Sequence, residues 1–569
     1  MDDKQSGKKI VIVGGVALGA GAAAKARRMD EGSEIVLIER GPYVSFANCG
    51  LPYYVGNEIS DRGALLLNTP ESLKSRFNID VRVLQEVVSI NRSDKTITVR
   101  KVESGETYDE PYDKLVLAMG AKPIVPPLPG IQLSGIFNLR SVPDADQIKS
   151  WVSQQLVKRA VVIGAGFIGL ETVENLVKLG IEVTLVEKAP QVLPPFDAEM
   201  TAAALRELNR MGVHVILGDG ISGFDGVDKA TAVNLESGLR LEADIFLLGI
   251  GVRPETGLAK DAGLELGVAG ALVINEYLQT SDPDIYSGGD LAEIVHLVDG
   301  VRRWIPLAGP ANKQGRVIGI NVSGGKETFD GAQGTSIVRV GRATLATTGF
   351  SERTAKSLGL NFFVSFTTAG HHAGYYPGAK DMTIKLIVET STGRLLGAEI
   401  AGREGVDKRI DVLATAIAAR MTVSQIAALD LAYAPPFSSA KDPVIMAAMA
   451  AENVQYGTVR TVQVVEDLPF DNVGILDVRR PDEVEAGMLP GAVHIPLDEL
   501  RDRFTELDTN KHWVVYCRSG QRSYFATQIL LRLGLPHVYN LSGGYLVQQM
   551  RQDVAESQKS ASDAKVAMI

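Results

Sequence analysis

Two residues carry the sulfur that could exchange electrons here, and they stand far apart. Cys49 lies in SFANCGLPYYVG, between Asn48 and Gly50, and Cys517 lies in VVYCRSGQRSYF. No second cysteine stands beside either, so neither closes a disulfide with a sequence neighbour. A lone thiol can still store two electrons, as a sulfenic acid or as a mixed disulfide with a small thiol brought from outside. The first chemistry serves oxygen or peroxide reduction; the second serves thiol and persulfide exchange. Two inert buried thiols are the plain alternative.

Either chemistry needs a reductant, and two stretches are patterned to hold one. KKIVIVGGVALGAGAAAKARRMD reads as a strand, a glycine turn and an alanine-rich helix, followed by a second strand, EIVLIER. Gly14, Gly15 and Gly19 form the turn, and Val16 replaces the middle glycine of G-x-G-x-x-G. Glu39 falls at the interval of about 20 residues at which a βαβ dinucleotide site puts an acid on the ribose. Arg40, next to it, is assigned to the same nucleotide. RAVVIGAGFIGLETVENLVKLGIEVTLVEK is a cleaner copy, with Gly164, Gly166, Gly169 and a closing Glu187. Gly166 lets a pyrophosphate approach the helix N-terminus, and Glu187 can accept from ribose hydroxyls. A carboxylate there disfavours a 2′-phosphate, so NADH is expected over NADPH, although Lys188 weakens the preference. Two such folds suggest one dinucleotide held tightly and one that comes and goes, and FAD with NADH is the natural pair. KLVLAMGAKP at 114 to 123 and DIYSGGDLAE at 284 to 293 add strands that run into glycine turns, the latter holding Gly289 and Asp290.

The elements that must position these residues exceed one core. A chain of 569 residues with 45% hydrophobic content predicts three or four units. Against 58 Lys and Arg stand 68 Asp and Glu, a formal net charge of −10, which argues against nonspecific nucleic-acid binding. MDDKQSGKKI lacks the layout of a secretory signal, and no apolar run reaches the ~18 residues of a membrane span. Two distant cysteines make a poor disulfide framework, so the expected setting is a reducing cytoplasm, with no membrane and no nucleic-acid partner. His371 and His372, with Asp381 following, lack the spacing of a metal site, and no metal is expected.

At this point a family resemblance is plain. Residues 1 to about 450 resemble the pyridine nucleotide-disulfide oxidoreductases, which implies that Asp290 contacts the ribityl chain of FAD. Members usually carry C-x-x-x-x-C beside the flavin, whereas Cys49 has no partner. SFANCGLPYYVG and AYAPPFSSAKDP (432 to 443) instead resemble the single-cysteine branch, which includes coenzyme A-disulfide reductase, NADH oxidase, NADH peroxidase and NADH-dependent persulfide reductase. Lys25 and Arg28 share a helix face, and with Ser45 and Asn48 they match positions that hold coenzyme A in the disulfide reductases; a solvated basic helix face is the alternative. Tyr433 and the HHAGYYPGAK segment resemble tyrosines that reach the sulfur site from the partner subunit. Tyr375 fits the spacing better than Tyr376, which is read as an interface aromatic. A phenol near neutral pH is a proton donor suited to a departing thiolate.

DVRRPDEVEAG, GAVHIP and CRSGQRS resemble the rhodanese family across about 460 to 553. In that reading Cys517 ends a strand, the loop Arg518, Ser519, Gly520, Gln521 and Arg522 curls round its sulfur, and a helix starts near Ser523. Backbone N–H groups, the helix N-terminus and the two arginines favour a thiolate or persulfide. Cys-based phosphatases use a longer loop before their arginine, so the shorter one favours sulfur over phosphorus.

The predicted fold class is α/β: two Rossmann-like dinucleotide-binding domains, for FAD and NAD, an α+β dimerisation domain and a C-terminal rhodanese-like α/β domain. The boundaries are 1–150 and 251–330 for FAD, 151–250 for NAD, 331–450 for dimerisation, 451–462 for a linker, 463–553 for rhodanese and 554–569 for a mobile tail. The predicted activity is NADH-driven, FAD-dependent reduction of coenzyme A disulfide, persulfide or polysulfide through Cys49 in a homodimer, with sulfane sulfur handled at Cys517. Two alternatives stay open: an NADH oxidase or peroxidase cycling through a sulfenic acid, and a redox sensor or sulfur carrier without turnover.

Overall fold

Short runs of Ile and Val bounded by glycine turns make buried parallel strands, because both faces of such a sheet are covered. The computed structural model of the protein describes residues 7–566. Lys9–Val13 is the central strand of a five-stranded sheet, flanked in parallel by Glu34–Glu39 and Lys114–Leu117, with Ile285–Ser287 and Asp80–Val83 outside them. Ile10, Val11 and Ile12 are wholly buried within it. Helix Ala17–Met29 covers this sheet and crosses helix Ala308–Val322 closely. A Cβ on Gly315 or Gly319 would lie 2.7 Å from the carbonyl oxygen of Leu18 or Ala22, so the crossing requires glycine on one helix and small residues on the other.

The second nucleotide-binding sheet repeats the pattern. Arg159–Ile163 lies between the parallel strands Glu182–Glu187 and Ile245–Leu248, and Ile136–Phe137 extends the sheet. The chain divides into two compact units, one running to Val186 and resuming at Asp219–Gly334, the other comprising Glu187–Gly218 and everything from Thr335 on. The stretch expected as one NAD domain is thereby shared, because residues 187–218 are tied into the later unit by charge. The ammonium of Lys385, fully buried, pairs with Asp197 at 2.8 Å, Glu199 at 2.7 Å and Glu352 at 2.7 Å. Burial alone would lower the Lys385 pKa; the surrounding carboxylates raise it instead.

Within the later unit, an antiparallel sheet runs Ser336–Val340, Ala343–Gly349, Leu395–Gly402, Asp381–Glu389, Phe362–Gly370. A parallel sheet follows, ordered Thr461–Val462, Val538–Leu541, His512–Tyr516, Val473–Asp477, Val493–His494. Two expectations differ from what is found. Helix Pro443–Gln455 runs into the predicted linker, and Thr461–Val462 is already an edge strand of the last sheet. The stretch expected to be a mobile tail continues helix Gly544–Val566, while 567–569 lie outside the described residues. That helix is anchored, Arg206 pairing with Asp553 and Gln558 Nε2 donating to the Pro190 carbonyl at 2.8 Å. No helix among the described residues is long and apolar enough to cross a membrane.

Candidate functional site

The two glycine turns are built alike. Gly14 N–H donates to the Ile38 carbonyl at 2.8 Å, and Gly164 N–H donates to that of Val186 at 2.7 Å. Both glycines have left-handed φ, +99° and +105°, which a side chain would strain. A Cβ on Gly19 would lie 1.8 Å from the Gly14 carbonyl oxygen, and one on Gly169 would lie 1.9 Å from that of Gly164, so only glycine lets each helix start so close to its strand. At Gly166 a Cβ would meet nothing within 4 Å, leaving the room a pyrophosphate needs at that helix N-terminus. Val16, in the corresponding place of the first turn, precedes a helix with no side-chain cap, so its first N–H groups stay available.

Glu39 is gripped by the turn: its carboxylate accepts from Gly15 N–H at 2.9 Å and Gly41 N–H at 2.7 Å. Arg40 pairs with Glu255 at 3.3 Å and Glu86 at 3.5 Å, which commits its charge within the protein. Gly289 N–H donates to Gln314 Oε1 at 2.7 Å, while the buried Gln314 Nε2 has no partner among the described residues. Asp290 lies beside Gly289, and burial raises its carboxyl pKa against the opposing pull of Arg140. An orphaned buried amide beside a half-buried acid fits a polar ligand chain, as FAD would supply. Glu187 ends its strand and accepts from Ala189 N–H at 2.8 Å.

Cys49 sits in the short turn Asn48–Gly50 leading into helix Leu51–Val55 and is exposed. The segment hangs from the first glycine turn, Ser45 N–H donating to the Gly15 carbonyl at 2.7 Å, with Ser45 itself in the left-handed region at φ 47°. Asn48 Oδ1 accepts from Cys49 N–H at 3.1 Å and lies 3.7 Å from the sulfur. Protein surrounding the thiol raises its pKa first, and the carboxylates of Glu171 and Asp290 raise it further. Nearby, Asn68 Nδ2 donates to Ser45 Oγ at 3.1 Å. In the basic run on helix Ala17–Met29, Arg27 is buried and spends its guanidinium on the carbonyls of Phe77, Asn78, Asp30 and Glu31. Arg28 is exposed, its Nε donating to the Ala24 carbonyl at 3.1 Å, and Lys25 is half-buried.

The later unit brings the two predicted tyrosines together. Tyr375 and Tyr433 share a hydrogen bond of 2.9 Å between their hydroxyls, although 76% and 48% exposed. That bond raises the Tyr375 pKa, so it keeps its proton. Tyr376 instead meets His372 edge-on at 5.4 Å. Beneath the pair, Arg409 joins the segments that carry them. Its guanidinium donates to the His371 carbonyl at 2.7 Å, to Ser438 Oγ at 3.2 Å and to Asp442 Oδ2 at 2.9 Å. His371 accepts Lys380 N–H at Nδ1, 3.0 Å, closing the hairpin; among the described residues no group of three His, Cys, Asp or Glu could hold a metal.

Cys517, 1% exposed, follows strand His512–Tyr516. Its sulfur accepts from Gly520 N–H at 3.2 Å and Ser523 Oγ at 3.5 Å. Gly520, at φ +96°, caps helix Gln521–Arg532, which begins two residues before the predicted Ser523. Ser519 lies in the bend of this loop. Arg522 grips Glu483 with two bonds of 2.6 Å, and this holds the Glu483 carboxyl down at about 2. Arg518 turns away to Asp381 at 2.9 Å.

Four residues of these sites escaped the sequence reading: Glu171, Arg409, Glu483 and Asp381. Glu171 had a usable signal, since it lies five residues after Gly166 on the helix that opens at the second glycine turn; it accepts from Tyr53 Oη at 3.1 Å. Glu483 lies in DVRRPDEVEAG and Asp381 directly follows HHAGYYPGAK, but nothing local marks them as partners of Arg522 and Arg518, and Arg409 carries no motif.

Two βαβ glycine turns, an exposed free thiol beside the first of them and a five-stranded antiparallel sheet define the class: the chain belongs to the pyridine nucleotide-disulphide oxidoreductases. The family profile of that description matches residues 8–315, its dimerisation domain matches 335–444, and a rhodanese-like domain matches 461–547. The family uses FAD and NAD(P)H. A coenzyme A disulfide reductase of Staphylococcus haemolyticus is 34% identical over 448 residues, 79% of this chain and 100% of that protein. An NAD(P)H sulfur oxidoreductase (CoA-dependent) of Pyrococcus furiosus is 36% identical over 442 residues, covering 78% and 98%. Among solved structures, reduced CoADR-RHD of Bacillus anthracis matches with a TM-score of 0.94 at 46% identity, covering 98% of this chain and all of that one. An NAD-dependent persulfide reductase from A. fulgidus matches at 0.89 and 39%, covering 95% and 99%.

Proposed function

We propose that the protein is an NADH-driven, FAD-dependent reductase of coenzyme A disulfide, persulfide or polysulfide sulfur, acting as a homodimer in the cytoplasm. The observation that carries this reading is the exposed, partnerless Cys49, hung from the first glycine turn beside Glu171 and Asp290. The near-full-length relatives that also carry a rhodanese unit support it. Two free, distant cysteines suit a reducing compartment.

When bound, FAD and NADH supply hydride transfer and a two-electron relay. Gly14, Gly15, Gly19, Glu39, Gly289 and Asp290 would hold the flavin nucleotide, and Gly164, Gly166, Gly169 and Glu187 the nicotinamide nucleotide. Lys25, Arg28, Ser45 and Asn48 would hold the coenzyme A moiety of the substrate. The Cys49 thiolate attacks the coenzyme A sulfur of an incoming disulfide or persulfide, forming a Cys49–coenzyme A mixed disulfide as the old S–S bond breaks and its electron pair leaves on thiolate or hydrosulfide; two electrons from NADH, relayed through FAD, would then break the mixed disulfide and return both thiolates. Tyr375 and Tyr433, hydrogen-bonded to each other, would deliver the proton to the departing thiolate at the other subunit's Cys49. Cys517 accepts sulfane sulfur on its own loop.

The test is NADH oxidation by the holoenzyme with coenzyme A persulfide, polysulfide or oxygen as sole acceptor. Rapid turnover with the sulfur acceptors, abolished in Cys49→Ser with FAD retained, is expected. Turnover with oxygen alone would establish the oxidase reading, and half the activity surviving in Cys49→Ser would overturn the role of the thiol.

A further inference from the structure

The cradle around Cys517 contains two arginines, yet neither is left to a substrate. Arg522 is doubly bonded to Glu483, and Arg518 is paired with Asp381. The Gly520 amide and the Ser523 hydroxyl donate to the sulfur, and Arg522 lies close enough to act on it as well, but its charge is already matched by Glu483. Two guanidinium groups against two carboxylates leave the rim balanced. Such a rim holds no net attraction for a compact dianion, whereas a donor whose charges lie far from its transferable sulfur loses nothing.

Asp381 is not part of the sulfur-binding unit. It opens strand Asp381–Glu389 of the antiparallel sheet, directly after the hairpin that carries Tyr375. The neighbouring strand of that sheet is bonded to the same cradle. Phe366 N–H donates to Ser542 Oγ at 3.1 Å, and the turn that follows Ser542 supports the loop, Tyr545 N–H donating to the Cys517 carbonyl at 2.8 Å and Leu546 N–H to that of Arg518 at 3.0 Å. The loop backbone is therefore fixed relative to Asp381, and the direction of Arg518 is set from outside its own domain.

We infer that Asp381 is a specificity-determining residue for the Cys517 loop: by neutralising Arg518 it selects organic persulfides over thiosulfate as sulfur donors. The inference rests on the reading of Cys517 as a sulfur acceptor. With an organic persulfide, the Cys517 thiolate attacks the outer sulfur of R–S–SH, a new S–S bond forms, the old one breaks, and the electron pair leaves on RS⁻, giving Cys517–S–SH. With thiosulfate the same attack expels sulfite, which takes the electron pair and both negative charges, and leaves Cys517–S–S⁻. Only the second reaction brings two charges to the rim, so only it should respond to an unpaired Arg518.

The experiment measures sulfur transfer to cyanide by the full-length holoenzyme, with thiosulfate and with glutathione persulfide as donors, at low and high salt. Asp381→Asn should raise kcat/KM for thiosulfate about fivefold at low salt, the size one solvent-exposed charge pair supports. The gain should fade at high salt, where exposed charges are screened, and persulfide transfer should stay within twofold. Arg518→Gln should lower thiosulfate transfer or leave it at its basal level, and adding it to Asp381→Asn should erase the gain. An unchanged thiosulfate rate in Asp381→Asn, equal gains for both donors, or a gain that survives the double substitution would overturn the inference. If neither donor loads Cys517, judged by the mass of its peptide against Cys517→Ser, the sulfur-acceptor reading itself fails.

Discussion

Replacing Arg409 with methionine tests how the tyrosine pair is held. Arg409 is 1% exposed and its partner Asp442 is 3% exposed, so the variant would strand a carboxylate in the interior. Burial opposes ionisation of Asp442, but Ser438, the Val444 amide and Arg409 together keep its pKa below the usual range, and it stays charged. After the substitution Ser438 Oγ at 2.7 Å, Val444 N–H at 3.0 Å and the more distant Lys408 ammonium at 3.9 Å remain. The carbonyls of His371 and Gly405 lose a donor. Breaking a buried ion pair from one side costs ~3–5 kcal/mol, and the two hydrogen bonds and the Lys408 cation that survive place this case at the lower end, ~3 kcal/mol. The loss is local, since the Ala373 amide donates to the Ser438 carbonyl at 3.2 Å across the two tyrosine-bearing segments. Hydrogen exchange at Ala373 therefore reports it: ~3 kcal/mol of lost protection corresponds to roughly a hundredfold faster exchange. Turnover should fall toward that of Tyr433→Phe, and Arg409→Met/Asp442→Leu should regain protection, because a well-packed apolar pair avoids the stranded charge. An Ala373 exchange rate within threefold of wild type would refute the claim that Arg409 fixes the pair.

Two further outcomes follow from the charges at the cysteines. Glu171→Gln removes a carboxylate that raises the Cys49 thiol pKa but keeps an acceptor for Tyr53, so the pH midpoint for alkylation of the reduced enzyme by iodoacetamide should move down; no movement, or an upward one, would remove Glu171 from the thiol's environment. Glu483 is held at about 2 against an ordinary 4.5, a difference worth ~3 kcal/mol at full strength and ~1–2 after solvent screening. Because its folded pKa is depressed, this stabilisation is complete above about pH 4.5 and is lost as pH falls toward 2. Glu483→Gln should therefore speed exchange in helix Gln521–Arg532 at pH 7, and its difference from wild type should vanish below pH 2; a constant difference across that range would contradict the pairing.

The nucleotide turns were legible in the residues alone because their constraints are local. Gly14, Gly19, Gly164 and Gly169 are demanded by φ angles and by backbone approaches under 2 Å, and such demands act within a few positions of sequence. Cys517, Gly520 and the helix after them were readable for the same reason, one loop supplying both the sulfur and its donors. The helix through the tail and the contacts of the linker were not legible because polar composition does not reveal an anchor: Gln558 is tied to Pro190, and Arg460 accepts at its carbonyl from the Asn540 amide at 2.8 Å. What only the tertiary structure decided is where charge goes. Arg27, in a run that reads as a free basic face, is buried and spent on four carbonyls, and Arg518 and Arg522, which read as cations for the sulfur, are matched by Asp381 and Glu483. A sequence records that a side chain is charged. Its free energy in the fold depends on partners that arrive from as far as 347 residues away, as Asp553 does for Arg206, and those are set by how the sheets and helices stack.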